Sequence, residues 1–103
     1  MALSITWTEE AERTFAVIIK YLLEHWTEKE VRHFISETNR VIAHITVTPR
    51  MFRRSARKNI HEGLITRHCL LIYRVRKNKI ELLSFFDTRQ NPKKKQLIEG
   101  RSG

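Results

Sequence analysis

The chain has 103 residues, of which 20 are Lys or Arg, 11 are Asp or Glu and 41% are hydrophobic. This length allows one domain with a single modest core. With only three Gly and two Pro, the composition excludes a disordered or low-complexity chain. The N-terminus lacks the basic start and long apolar stretch of a signal peptide, and no apolar run approaches the ~20 residues of a membrane span. We therefore expect a cytoplasmic protein that does not contact a membrane.

Positive charge is concentrated in the second half of the chain. Residues 1–49 carry five Lys or Arg and seven Asp or Glu, whereas residues 50–103 carry fifteen and four. The net charges of the two halves are therefore −2 and +11. Such a domain has one electropositive side, which favours nucleic acid or an acidic protein segment as the ligand. A basic surface that only maintains solubility is the alternative.

The N-terminal half predicts one strand followed by a helix. Leu3, Ile5 and Trp7 alternate within residues 2–7, which indicates a first strand. Thr8 is a suitable N-cap, and two glutamates follow it at the positive end of the helix dipole. The helix presents an apolar stripe at steps of three and four residues: Ala11, Phe15, Ile18, Leu22 and Trp26.

A second helix follows with almost no linker. The stretch from Thr27 to Glu30 matches a capping box, and Pro49 disfavours helical geometry at Thr48, so this helix ends by about residue 47. The two helices should form an antiparallel hairpin. The apolar stripe of the second helix consists of Val31, Phe34, Ile35, Thr38, Val41, Ile42 and Ile45.

After Pro49 the period changes from helical to strand-like. Residues 64–75 and 80–86 predict two long strands joined by a turn at Lys77 and Asn78, and residues 55–61 are a candidate for another strand. Apolar groups on both faces place the two long strands at the centre of a sheet. The predicted fold class is α+β, with the helical hairpin packed on one face of a mostly antiparallel sheet of about four strands.

The residues that carry chemistry do not form a metal or nucleotide site. Cys69 lies in an apolar run and reads as a buried hydrophobic side chain. No His/Cys spacing fits zinc and no Gly-rich loop fits a nucleotide, so we expect no cofactor and no bound metal. Among the histidines, His61 and His68 flank the predicted hairpin beside basic residues, where either could transfer protons near neutral pH.

Two basic clusters are candidate target-binding sites. Arg suits phosphate because its planar fork donates two hydrogen bonds, and Lys adds mobile positive charge. Each cluster could also be a solvated loop or tail. The first cluster contains Arg50, Arg53, Arg54, Arg57 and Lys58, and the second contains Arg89, Lys93, Lys94 and Lys95.

The end of the last predicted strand carries the sharpest local signal. The strand delivers Asp87, Thr88 and Arg89 and then stops at Asn91 and Pro92. Together with the first strand, the helical hairpin ending near Pro49 and the strand 64–75, this exit resembles the RelE/ParE superfamily of toxins from bacterial type II toxin–antitoxin systems.

The resemblance implies one toxin domain over residues 1–99 with a flexible tail at 100–103, and an acidic antitoxin encoded by the adjacent gene. It also implies growth inhibition and a role in plasmid stabilisation. The ribonuclease branch cleaves ribosome-bound mRNA, whereas the ParE branch acts on DNA gyrase. Arg89 matches the family's Arg after the last strand and is the first catalytic candidate, followed by His61 and His68.

Two positions bear on the choice between the branches. Leu70 stands where the ribonuclease branch often has an Arg, and residues 93–98 contain no Tyr or His. Both features favour a ParE-like toxin. An endoribonuclease of the RelE type remains the alternative, so whether the chain is an enzyme stays open. A non-catalytic nucleic-acid-binding module is the third interpretation.

Overall fold

The computed structural model describes residues 3–55 and 59–89 and confirms the predicted α+β fold. The strand β1 precedes two helices, α1 and α2, and four further strands follow. The bounds are β1 Ser4–Trp7, α1 Glu9–His25, α2 Glu28–Val47, β2 Arg53–Arg54, β3 Ile60–Thr66, β4 Cys69–Val75 and β5 Lys79–Asp87.

The strands form one mixed sheet in the order β1-β5-β4-β3-β2. β1 runs parallel to β5, with Ile5 opposite Ile80, and the other neighbouring pairs are antiparallel. This arrangement places β4 and β5 inside the sheet, as predicted. The sheet therefore has five strands rather than about four, because the two-residue β2 adds an edge.

Two strand predictions were wrong. Residues 64–75 are not a single strand: β3 ends at Thr66, a turn contains Arg67 and His68, and β4 begins at Cys69. Likewise, residues 55–61 are not a separate strand, since β3 begins at Ile60 and the short β2 precedes it. The turn contains no Gly, Pro or Asn, so the sequence carries none of the usual turn residues there, although Thr66, Arg67 and His68 interrupt the apolar run.

Both helix starts follow the predicted capping. The hydroxyl of Thr8 accepts a hydrogen bond from the Ala11 amide at 3.1 Å, and that of Thr27 accepts one from the Glu30 amide at 3.3 Å. Each bond satisfies one of the amides that a helix start leaves without an internal partner. The second helix ends at Val47, as Pro49 predicted.

The core lies between the helices and one face of the sheet. Four aromatic rings meet there, with Phe15 of α1 packing 5.2 Å from Phe34 of α2 and from Phe85 of β5, and Trp7 stacking on Phe85 at 5.4 Å. Two predicted core positions were wrong. Trp26 is 46% exposed because α1 ends at His25 and the backbone of Trp26 is extended, and Ile35 is 39% exposed on the outer side of α2.

Thr8 and the helix α1 also form hydrogen bonds with β5 where its pairing with β1 ends. The paired residues of β1 and β5 end at Trp7 and Leu82. Beyond this point, the Thr8 hydroxyl donates to the Leu82 carbonyl at 2.8 Å, and the Thr14 hydroxyl accepts from the Phe85 amide at 3.0 Å. These bonds fix the course of β5 toward Asp87.

Candidate functional site

The turn between β3 and β4 is attached to the end of β5. The Thr88 amide donates to the His68 carbonyl at 2.8 Å, and the Thr88 hydroxyl lies 3.2 Å from the same oxygen. The His68 amide donates in turn to the Thr66 hydroxyl at 3.2 Å. The structure thereby brings two of the predicted site residues, His68 and Arg89, to the same end of the sheet.

Arg89 forms a bidentate ion pair with Asp87. Its Nε and Nη2 atoms donate to the two carboxylate oxygens at 3.1 and 2.8 Å, and its backbone amide donates to Oδ1 at 2.9 Å. The Asp87 side chain is fully buried and the Arg89 side chain is 16% exposed. These hydrogen bonds raise the pKa of Arg89 above its ordinary value, so the guanidinium stays charged.

Arg89 also packs on an aromatic ring. Its guanidinium carbon lies 4.9 Å from the centroid of Trp26, within cation–π range. A cleft of about 290 Å³ opens beside this contact. Its lining comes from both helices, the β3–β4 turn and the end of β5: Trp26, Glu30, His33, Phe34, Thr66, Arg67, His68 and Arg89.

Sequence reasoning missed Trp26, His33 and Arg67 as members of this group. Trp26 was assigned to the core, and no local pattern connects His33 of α2 with a turn more than thirty residues later. Only the packing of the helix hairpin on the sheet brings them to Arg89. The result is a small cleft with two histidines and two arginines, opposed by the carboxylate of Glu30.

His61 lies at the other end of β3. From residue 61 to residue 66 the strand spans about 16 Å, so the structure does not bring His61 to Arg89. The His61 side chain is buried, its Nδ1 lies 3.1 Å from the Phe52 carbonyl oxygen, and its ring stacks on Tyr73 at 5.4 Å. This environment suits a core residue more than a group that meets substrate.

Tyr73 belongs to the same buried cluster. Its hydroxyl donates to the Pro49 carbonyl at 2.8 Å, which joins β4 to the chain just after α2. Burial raises the pKa of Tyr73 to about 12. Burial also raises the pKa of the Cys69 thiol, far above neutral pH, so Cys69 is an unreactive core residue as predicted.

The first basic cluster is spread along the sheet. Arg53 and Arg54 form β2, whereas Arg50 is exposed after α2 and lines a cleft of about 500 Å³ with Arg76 and Lys77. This cleft lies at the β4–β5 turn, and β5 spans about 27 Å from there to Asp87. Five predicted binding residues lie outside the described part of the chain: Arg57, Lys58, Lys93, Lys94 and Lys95.

Sequence reasoning missed the cations at the β4–β5 turn, two of which, Arg76 and Lys77, share a cleft with Arg50. Arg74, Arg76, Lys77 and Lys79 line a second cleft at the β4–β5 turn, of about 570 Å³. Glu81 pairs with two of them, at 2.8 Å from Arg76 and 3.5 Å from Arg74. The hydrogen bond from Arg76 lowers the pKa of Glu81. Strand spacing within 74–79 could have revealed this group, since these residues flank the predicted turn.

Neither a metal cluster nor a membrane helix occurs in the described parts of the molecule. Residues 3–55 and 59–89 contain no group of three or more His, Cys, Asp or Glu side chains that could hold a metal ion. Within the same ranges, no helix is both long and apolar enough to cross a membrane.

The family of the chain follows from a comparison with family models. The model for "ParE toxin of type II toxin-antitoxin system, parDE" matches residues 5–92. The chain belongs to this toxin family. The resemblance noted in the sequence to the RelE/ParE superfamily is thereby confirmed. No curated protein sequence matches the toxin significantly.

Solved structures share the fold of the toxin. The chromosomal ParDE system from P. aeruginosa gives a TM-score of 0.70 at 13% identity, covering 84% of this chain and 96% of that chain. The YoeB dimer from Staphylococcus aureus gives 0.60 at 18% identity, covering 84% and 97%. A mutant of E. coli toxin RelE in the free state gives 0.59 at 12% identity, covering 97% and 98%. At these identities the likeness concerns the fold alone.

Proposed function

We propose that this toxin inhibits bacterial growth in the cytoplasm by acting on DNA gyrase, as the ParE branch does. The observation that carries the proposal is the match of the ParE family model over residues 5–92. The state of Arg89 supports it, because Asp87 holds the Nε and Nη2 edge of the guanidinium, Trp26 packs on its face, and the side chain is only 16% exposed. A guanidinium held in this way is a poor partner for the phosphate of an RNA undergoing cleavage.

An endoribonuclease of the RelE type is the second candidate. It is favoured by the cleft beside Arg89, where His33 and His68 stand near Arg67. A histidine can take or give a proton near neutral pH, and arginine can stabilise charge on a phosphate. In this candidate His68 is the catalytic base, whereas buried His61 has no access to RNA.

An antitoxin is the proposed regulatory partner. Two of the structurally similar proteins are the ParDE system from P. aeruginosa and the E. coli DinJ–YafQ toxin–antitoxin complex. A net charge of +9 favours an acidic protein as the inhibitor of this toxin. Expression of the toxin alone should arrest growth, and co-expression of the acidic protein encoded beside it should restore growth. Normal growth at high soluble expression would contradict the toxic activity.

The target can be tested with purified components. We expect the toxin to inhibit supercoiling by gyrase and to leave mRNA on translating ribosomes intact. The control variant is His68→Ala, which should leave gyrase inhibition unchanged because the proposal gives His68 no role there. The opposite result would be codon-positioned cuts in ribosome-bound mRNA that disappear in His68→Ala, together with normal gyrase activity. That result would contradict the action on gyrase and support the endoribonuclease instead.

A further inference from the structure

The end of the sheet opposite Arg89 carries a dense group of exposed and half-buried cations. This hairpin-end surface consists of Arg50, Arg74, Arg76, Lys77 and Lys79. Arg50 follows α2, Arg74 lies in β4, and the other three lie in the β4–β5 turn or at the start of β5. Two adjoining clefts share Arg76 and Lys77. Within the described part of the chain, Glu81 is the carboxylate that forms ion pairs with this group, and it contacts Arg74 and Arg76.

The position of Glu81 explains how the arginines are held. The carboxylate accepts a hydrogen bond from Arg76 Nε at 2.8 Å and lies 3.5 Å from Arg74 Nη1. The side chains nevertheless remain exposed, by 52% for Arg76 and 37% for Arg74. Their remaining N–H groups can therefore donate to a ligand. Asn59 and Asn78 add neutral amide groups to the same clefts. Arginine and amide donors around an open, shallow surface suit the oxygens of a phosphodiester backbone.

The β4–β5 turn cleft, which contributes four of the five cations, is poorly suited to single strands or to an amphipathic helix. Among the described residues that line the β4–β5 turn cleft, none is aromatic, and the one apolar residue, Val75, is 6% exposed. The adjoining cleft beside Arg50 also has apolar lining, from Leu3, Val47 and Pro49, and Val47 is 69% exposed. Binding of single strands relies on aromatic side chains that stack on bases, and helix binding relies on an apolar groove. A rigid duplex presents phosphates at close and regular spacing without requiring either.

We propose that the hairpin-end surface binds the backbone of a nucleic-acid duplex without reading its sequence. The inference goes beyond the action on gyrase, because it concerns the toxin and nucleic acid alone. Contacts by four of the five cations would make the logarithm of the affinity fall with the logarithm of salt concentration with a slope of about −4. The slope should be the same for duplexes of different sequence.

The first test uses fluorescence anisotropy with a short DNA duplex and the matching RNA duplex. In the variant Arg50→Glu/Lys77→Glu, the affinity at low salt should fall at least about tenfold and the salt slope should become shallower by about two. The matched control is Lys20→Glu/Lys29→Glu, which makes the same charge change at exposed positions on the helices. Equal losses in both variants would show that only net charge matters and would overturn the proposal.

In a second pair of variants we expect the affinity for duplex to change in the opposite direction. Glu81→Gln removes the carboxylate from the hairpin-end surface, so the affinity for duplex should rise about two- to threefold. Glu37→Gln is its control, because Glu37 of α2 is similarly half-buried and forms an ion pair with Arg40 at 2.8 Å. Circular dichroism verifies that all four variants are folded. Binding of polyglutamate that exceeds binding of both duplexes, or that alone responds to these variants, would instead assign the surface to an acidic protein.

Discussion

Arg89 has a structural role that its variants must take into account. Replacing it with Ala leaves the buried Asp87 carboxylate without its charged partner, which lowers the free energy of unfolding by about 3 kcal/mol. Urea denaturation measures the change. Arg13→Ala is the control, since its pair with Glu10 is exposed and its loss should change stability little. If Arg89→Ala were as stable as the wild type, solvent would be stabilising the charge of the Asp87 carboxylate, which would contradict the burial of that side chain.

Asp87→Asn/Arg89→Ala separates stability from activity at this site. The neutral amide requires no cation, so the double variant should recover much of the stability lost in Arg89→Ala. Activity measured in this variant then reports on the guanidinium alone. The sequence predicted Arg89 as a fixed cation at the strand exit, but it did not show that Asp87 and Trp26 hold that cation.

Tyr73 makes stability depend on alkaline pH. The unfolded phenol ionises near its ordinary pKa of about 10, whereas the folded one ionises near about 12. The stability that it contributes is therefore present below pH 10 and is lost as pH rises from 10 to 12. At about pH 11 the loss is about 1 kcal/mol.

Tyr73→Phe isolates this effect. The variant loses the hydrogen bond to the Pro49 carbonyl, so it should be about 1 kcal/mol less stable than the wild type at neutral pH. The difference should vanish or reverse at about pH 11, because Phe does not ionise. Urea denaturation at both pH values tests this. A difference that is constant with pH would show that the Tyr73 pKa is not raised.

Thr14 connects α1 to β5, and its variant tests that connection. The Thr14 hydroxyl donates to the Glu10 carbonyl at 2.8 Å and accepts from the buried Phe85 amide. Thr14→Val leaves this amide without a partner and should cost about 1–3 kcal/mol of unfolding free energy. Thr38→Val is the matched control, because buried Thr38 donates to the Phe34 carbonyl and, within the described residues, accepts no bond from a strand. Equal costs would refute the special role of Thr14.

Elements with local signals were predicted and elements without them were not. Thr8, Thr27 and Pro49 mark the helix limits in the sequence, and the caps lie at the predicted residues. The break at Arg67 and His68 has no such mark, because this turn contains no Gly, Pro or Asn and its three polar residues, from Thr66 to His68, are also compatible with a continuous strand. Its position depends on a contact with the residue after β5, Thr88, whose amide donates to the His68 carbonyl.

The candidate sites depend on contacts between distant parts of the chain. The charge count predicted a basic half, and Arg50 was identified from it. Its neighbours Arg76 and Lys77 were not, because only the sheet register brings the β4–β5 turn to the end of α2. The composition therefore predicted the sign of the surface charge, while the fold determines where that charge is concentrated.

The uneven charge of the whole molecule should make its stability depend on salt. At a net charge of +9, repulsion within the folded toxin is strong at low ionic strength, where the screening length is about 30 Å, and weak near physiological salt, where it is about 8 Å. We expect the melting temperature to rise with added NaCl. Lys77→Glu should raise it by about 2–4 °C at low salt, because Lys77 stands among like charges.

Lys20→Glu is the control for this effect. It changes the net charge equally but lies on α1, within the acidic half of the sequence, so it should stabilise the toxin less than Lys77→Glu does. Differential scanning calorimetry at low and high NaCl measures both variants. Their difference should shrink as salt is added, because screening removes the repulsion at the β4–β5 turn. Equal shifts at every salt concentration would show that net charge alone, and not its concentration at this end of the sheet, limits the stability.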